Sequence, residues 1–305
     1  MIREKIRKNL DKIIKIASLL CLIALLFAAF FSINYARKRS ESGVKPKEIY
    51  FDGIHTHFNT GFGRDSVWND LSGEISVYDA QYVQNGKPVT FDYRVSMVKE
   101  DFNDQFNVKT ASYERPDIYE VMHVNVAADI PDGPHVRHFL NTMFFLRSNS
   151  LVLHKMTASA QDPEGNVFRT YFNTKSMIKV SYNSYHDGEG IGEKVLDKDV
   201  LFEDQFLYTF RSLRFEDGLK FHANVLATQA TTSVGKLEVY PSDIEVSRAP
   251  QVLGRDAWKV RVQMDTTRVN EYFFDQAYPH ILLQQKTWDG RTLELKSTTR
   301  VKPAQ

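Results

Sequence analysis

The sequence predicts a mainly β protein. The expected architecture is a strongly curved antiparallel sheet or open barrel with one packed amphipathic helix, preceded by an N-terminal transmembrane helix. Three observations predict it. Apolar and polar residues alternate in run after run, with turn pairs such as Asn85-Gly86 and Asp289-Gly290 between runs. One stretch beyond residue 200 switches to helical spacing. Residues 16–36 are apolar and carry no charge.

The elements follow in chain order. Residues 1–15 form a basic tail containing Arg3, Lys5, Arg7, Lys8, Lys12 and Lys15. Ile16 to Ala36 would span about 31 Å as a helix, close to the thickness of a bilayer core. A secretory signal has a shorter apolar core, about 7–15 residues, and a small-residue cleavage site. Here Asn34-Tyr35-Ala36 is a poor site, and Leu19-Leu20 before Cys21 do not suit lipoprotein processing. An uncleaved, single-pass anchor is therefore expected. The basic stretch before the run is longer than Arg37-Lys38-Arg39 after it. The positive-inside rule then keeps the tail in the cytoplasm and puts the large domain in the periplasm, tethered to the inner membrane.

Residues 37–47, with Ser40, Ser42, Gly43 and Pro46, read as a linker. The domain expected after it, residues 48–305, contains no cysteine, so it holds neither disulfide nor thiolate metal site. A formal net charge of +1 argues against a nucleic-acid partner.

Within the domain, Glu74 to Val83 and the alternating run Val89, Phe91, Tyr93, Val95, Met97 flank Asn85-Gly86 and predict a hairpin. Pro131 to Pro134 is a strong local breaker. Leu151 to Ala160 and Val167 to Phe172 predict a second hairpin around Asp162-Pro163-Glu164-Gly165. Trp258, Val260, Val262 and Met264 alternate again. Ile281 to Trp288 and Arg291 to Ser297 flank Asp289-Gly290, a third hairpin. Phe202, Phe206, Phe210 and Leu213 recur at helical spacing, with Glu203, Asp204, Thr209 and Arg211 between them. This predicts an amphipathic helix, capped by Asp199, whose apolar stripe packs in the concave face of the sheet.

Chemistry-bearing patterns are few. His55 and His57 share a face if they lie on a strand, and His135 and His138 are one helical turn apart, but a metal needs more ligands than either pair offers. His186-Asp187-Gly188-Glu189-Gly190 joins an imidazole and two carboxylates on a glycine-rich stretch, as a turn or as an acid–base loop would. Gly61-Phe62-Gly63 lacks the third glycine and the βαβ setting of a nucleotide fingerprint. No Walker loop, G-x-S-x-G elbow or H-E-x-x-H occurs, and no catalytic residue, metal or cofactor is expected. The stripe Phe202, Phe206 and Phe210 is the candidate ligand-binding surface. It lines either an apolar pocket or plain core.

The order of several segments resembles a known family. These are Trp68-x5-Glu74-Ile75-Ser76-Val77-Tyr78-Asp79, Asn85-Gly86-Lys87-Pro88, Val98-Lys99-Glu100-Asp101-Phe102 with Val108-Lys109, Ser184 to Gly190, Phe210-Arg211-Ser212-Leu213, and Tyr278-Pro279-His280-Ile281-Leu282-Leu283. They resemble uncharacterised bacterial envelope proteins, β-rich and usually exported or lipid-anchored, over most of residues 65–300. Members often carry a Trp-Cys pair where this chain has Gln161-Asp162. The family brings no established activity with it. At the level of fold class the pattern is also similar to LolA/LolB-type lipoprotein carriers, whose concave face holds acyl chains. The aromatic-rich strands, the lone amphipathic helix and the membrane tether lead to the expectation of a non-catalytic envelope protein that binds a lipid or other apolar ligand. The alternatives are an assembly protein that binds another envelope protein and a hydrolase-like enzyme.

Overall fold

The computed structural model describes residues 53–302 apart from Leu71, Asn85 and Lys175. The expected tail (1–15), anchor (16–36) and linker (37–47) lie outside the described residues. Among the described residues no helix is long and apolar enough to cross a membrane.

The chain divides into two compact units. The larger holds residues 48–102 and 119–305. The smaller contains residues 103–118, which tie themselves together locally. There Asp117 accepts both nitrogens of an Arg115 fork at 2.9 Å, and Asn103 bonds the backbone of Phe106 and Val108 around the two-residue strand Val108–Lys109.

Strands are numbered along the chain: β1 (Gly73–Gln84), β2 (Lys87–Asn103), β3 (Val108–Lys109), β4 (Ile118–Asp132), β5 (His135–Leu146), β6 (Leu153–Asp162), β7 (Gly165–Asn173) and β8 (Met177–Ser184). They continue as β9 (Ile191–Asp197), β10 (Val200–Phe202), β11 (Lys220–Leu226), β12 (Val239–Val252), β13 (Arg255–Gln263), β14 (Val269–Asp275), β15 (Leu282–Lys286) and β16 (Thr292–Val301). In the larger unit the hydrogen-bonded order is β10-β11-β12-β13-β14-β15-β16-β1-β2-β4-β5-β6-β7-β8-β9. The two ends of this path, β9 and β10, are consecutive in the chain, so the sheet comes round on itself, and among the described residues no strand pairing closes the seam between them. This is a nearly closed, barrel-like sheet, as the strand periodicity predicts.

The hairpins form where turn chemistry placed them. Gln84 faces Lys87 across the first turn, with Gly86 at φ +74°; Asn85 lies outside the described residues. The breaker at Pro131 to Pro134 is a tight turn. Asp132 pairs with His135, and Gly133 takes φ +60°, a conformation open to a residue without a Cβ. At the second hairpin the Asp162 carboxylate accepts the amides of Glu164 and Gly165 at 2.9 and 3.0 Å and fixes the corner. The third hairpin has a wider loop than a two-residue turn: Thr287 N–H donates to Arg291 O at 2.9 Å, leaving Trp288 to Gly290 at the tip.

The helix departs from expectation. Residues 203–212 form one short α-helix, α1 (Phe206–Thr209), between two 3₁₀ turns (Glu203–Gln205 and Phe210–Ser212), and the preceding residues Val200–Phe202 join the sheet as β10, parallel to β11. Asp199 does not cap it; the Gln205 side chain accepts the Phe202 amide at 3.0 Å instead. Nor is the segment amphipathic. Glu203, Thr209 and Arg211 are buried along with the phenylalanines, because each polar group finds a partner inside.

The largest such partnership is Arg211 with Glu74, at 2.7 and 3.0 Å through both guanidinium nitrogens. Arg211 Nε also donates to Pro279 O at 2.9 Å. The guanidinium lies 5.5 Å from the Trp68 ring, which Arg300 also approaches, at 5.6 Å. Packing continues into the 3₁₀ turn Thr60–Arg64. A Cβ on Gly63 would stand 3.0 Å from Tyr208 Oη, 3.1 Å from Met122 Cγ and 3.2 Å from the Arg147 backbone. Gly63→Ala is therefore expected to destabilise by about 1–3 kcal/mol, the cost of overpacking, read as a lower urea midpoint. An unchanged midpoint would show that the neighbours yield freely.

Candidate functional site

Phe202, Phe206 and Phe210 all lie in the core. Phe206 and Phe210 stack at 4.2 Å with their planes 11° apart. Tyr272 meets both edge-on, at 5.6 and 5.7 Å, and Tyr171 meets Phe202 at 5.3 Å. Each ring thus has aromatic neighbours of its own, an arrangement that stabilises beyond simple burial.

The His186 to Gly190 stretch does more than turn the chain. It clasps the loop between β11 and β12, here called the strap (residues 227–238). The strap is closed at its neck, where Ala227 N–H donates to Glu238 O at 3.1 Å. The Glu189 carboxylate accepts the amides of Val234 and Gly235, both at 3.0 Å, and His186 Nε2 sits 2.8 Å from Thr232 O. From β7, Arg169 donates to Thr231 O at 2.7 Å and to Ser233 O at 3.1 Å. From β9, Lys194 donates to Gly235 O at 2.7 Å. The strap is held mainly through its backbone, on the inner side of the strands that border the seam. Its donors hold the Glu189 carboxyl down to about 2: burial pushes it up, but the amides of Gly235 and Val234 and the Ser184 hydroxyl outweigh that.

The other end of the strap rests on Glu203 and Asp204. Glu203 accepts the Thr228 amide at 3.1 Å; Asp204 accepts the Gln229 amide at 2.8 Å and the Thr228 hydroxyl at 2.9 Å. Behind them is a chamber of about 20 Å³, room for a water, which these carboxylates line with Tyr93, Tyr272, Gln285 and Arg291. Arg291 reaches Glu203 at 3.5 Å and the Asp289 carboxylate at 2.8 Å. Burial pushes Glu203 up to about 7 and outweighs Arg291; burial also raises Asp204. Nothing in the spacing of Glu203-Asp204 announced this chamber. Acids shifted upward by burial in a cleft mark a candidate site.

The histidine pairs lie on other elements than those on which their spacing would bring them together. His55 and His57 sit on a 3₁₀ turn rather than a strand, and His57 stacks on Phe221 at 5.1 Å. His135 and His138 are on strand β5 rather than a helix, so three-residue spacing turns them to opposite faces; His138 pairs with Asp129 at 2.7 Å. Among the described residues no three His, Cys, Asp or Glu gather as metal ligands would.

On the outer face a row of side chains, apolar on every second strand, runs across the strands to the seam. Leu140 (β5) faces Ser159 (β6), which faces Phe168 (β7), which faces Asn183 (β8), which faces Ile191 (β9). Leu140 is 43% exposed, Phe168 47% and Ile191 84%, and Val195 further along β9 is 64% exposed.

No protein-family model matches this chain, and no curated protein does. Among solved structures it is similar to a β-barrel-like protein of a domain of unknown function, DUF1849, from Brucella abortus. That likeness has a TM-score of 0.46 at 8% identity, over 76% of this chain and 98% of the other. The fold described here rests on the strand pairing, not on that likeness. The similarity to LolA/LolB-type carriers expected from fold class is not shown by these comparisons.

Proposed function

We propose that this chain is a non-catalytic module of the bacterial cell envelope, tethered to the inner membrane by residues 16–36 with its large domain in the periplasm. Its task is to bind another envelope protein through the outer face of β5 to β9. The aligned residues Leu140, Phe168 and Ile191, the last on β9, whose outer edge has no neighbouring strand among the described residues, support this reading. A strand edge with exposed apolar residues is what a partner strand or apolar partner surface fits.

The lipid alternative, centred on Phe202, Phe206 and Phe210, has the apolar lining it needs. Acyl chains need hundreds of cubic ångströms, and the chamber next to this stripe holds about 20 Å³. In the hydrolase alternative His186 and Glu189 would work on a substrate, yet both are engaged with the strap backbone.

The experiment places a photo-crosslinking residue at Phe168 in the intact, membrane-bound protein in the producing cell. The expected product is one protein adduct, lost on Leu140→Lys with Ile191→Lys. Lipid adducts alone, or none, would overturn the proposal. Phe168→Glu, which alters the surface and not the core, is expected to change folding stability by less than about 0.5 kcal/mol. A larger loss in urea unfolding would show that Phe168 serves the fold.

A further inference from the structure

One hydrogen bond fixes which backbone groups of β9 face the seam. Ser184 N–H donates to Gly190 O at 2.8 Å. From there β8 and β9 run opposite each other in step, from Asn183 facing Ile191 to Met177 facing Asp197. Opposite residues of an antiparallel pair alternate between those that bond each other and those that do not. Ser184 and Gly190 are a bonded pair, so Gly192, Lys194 and Leu196 bond β8 as well. The N–H and C=O groups of Ile191, Glu193, Val195 and Asp197 therefore point away from β8, and among the described residues no strand pairs with that edge.

The same alternation sorts the side chains. Gly192, Lys194 and Leu196 are half-buried, while Ile191, Glu193, Val195 and Asp197 are exposed. The inner side is already occupied. A Cβ on Gly192 would stand 2.3 Å from Tyr182 Oη, so the Tyr182 side chain lies over that glycine; Lys194 reaches the strap at Gly235 O, and Leu196 packs against the core. These contacts hold β9 extended without a neighbour on its far edge, so an added strand meets a pre-organised template. The exposed row reads apolar, acidic, apolar, acidic. On β8, Ser181 and Met177 face Glu193 and Asp197, and Lys179, opposite Val195, is diagonal to both. We infer that the far edge of β9 takes up an extended segment of a partner protein as a further strand. That segment alternates apolar and basic side chains: apolar beside Ile191 and Val195, Lys or Arg beside Glu193 and Asp197. The inference rests on the reading of the outer face of β5 to β9 as a partner surface and names the chemistry of what binds there.

A second copy of β9 fits this edge poorly. A two-fold dimer pairs the strand antiparallel with itself. Centred on Lys194, that pairing sets Glu193 against Val195 but leaves the two copies of Glu193 diagonal to each other. Sliding by one pleat sets Glu193 against itself or against Asp197. Like charges directly opposite destabilise a sheet, and opposite charges stabilise it. Basic residues on a different chain turn the same contacts into attractions. Complementarity of this kind chooses the partner and its register more than it adds raw affinity.

Hydrogen–deuterium exchange on the full chain in detergent micelles, read at single residues, tests this with two synthetic peptides of the length of β9. Both carry threonine on one face. On the other face one alternates valine with lysine, the second valine with glutamate. At saturation the lysine peptide is expected to slow exchange of the Ile191, Glu193, Val195 and Asp197 amides roughly tenfold. The Gly192, Lys194 and Leu196 amides, already bonded to β8, should not change, which separates strand addition from contact with the outer face. The glutamate peptide should slow nothing. In the double variant Glu193→Lys with Asp197→Lys the preference should reverse. No slowing with either peptide would overturn the inference by showing that the seam admits no strand. Equal slowing with both would overturn it too, as would slowing without peptide that grows with protein concentration, the mark of a second copy. The crosslink from Phe168 is read separately. A protein adduct there without peptide uptake at β9 removes this inference alone; uptake at β9 with no adduct in the cell removes the envelope-partner reading and leaves the strand site standing.

Discussion

Glu74→Gln is expected to destabilise the protein by about 3–5 kcal/mol, the usual cost of removing one partner from a buried ion pair. The geometry puts this pair in the expensive class. The Arg211 side chain is 1% exposed and Glu74 4%, and they meet through two bonds of 2.7 and 3.0 Å. After the substitution the guanidinium keeps its charge between the Trp68 and Phe62 rings with only a neutral acceptor opposite. Burial pushes the Glu74 carboxyl up, but Arg211 more than offsets this and leaves it below the ordinary range, so the pair stays ionised at neutral pH. The double substitution Glu74→Leu with Arg211→Met should recover most of the loss, since it removes both charges and fills the space. Urea unfolding followed by tryptophan fluorescence reads both, with Trp68 beside the pair. A single-variant loss below about 1 kcal/mol would show that water or another group replaces the missing partner.

The second large effect is in pH dependence, and Glu203 sets its sign. The folded protein holds the Glu203 carboxyl near 7, against 4.5 for an ordinary glutamate. The folded state thus binds this proton more tightly than the unfolded state. The stability it contributes is fully present below about pH 4.5 and is lost as pH rises through about 7. Roughly 3 kcal/mol is at stake, from the standard conversion of pKa difference to free energy. Glu203→Gln should remove the decline and exceed wild type in stability at about pH 8.5. Glu189 acts in the opposite sense. Its depressed carboxyl contributes stability above 4.5 that is lost as pH falls toward about 2. That contribution is smaller, because the group is partly exposed and screened. Chemical denaturation across pH, wild type against Glu203→Gln, checks the prediction. Parallel profiles for the two proteins would refute the assignment of the shift to Glu203.

The sequence by itself determined the β architecture, the hairpins and their turns. Those signals are local: a period of two makes one face apolar, and Gly86, Gly133 and the Asp162 carboxylate set corners within a few residues. It also determined that Phe202, Phe206 and Phe210 share an environment, though not that other rings would enclose them. Only the tertiary structure decided the rest. Arg211 looked like the wet side of a helix because its partner, Glu74, is 137 residues away in sequence. Asp204 meets Asn141 across 63 residues, and Glu189 meets Gly235 across 46. Segments whose order suggested a family converge in the same way: Trp68, Glu74, Arg211 and Pro279 form one cluster, while Ser184 to Glu189 clasp the strap. A polar side chain reads as exposed when its partner is distant along the chain, because periodicity records which face a residue occupies and carries no trace of what waits there. Whether a charge ends in water or in a buried pair is set by chain closure, and here the sheet that brings β9 round to β10 supplied the partners.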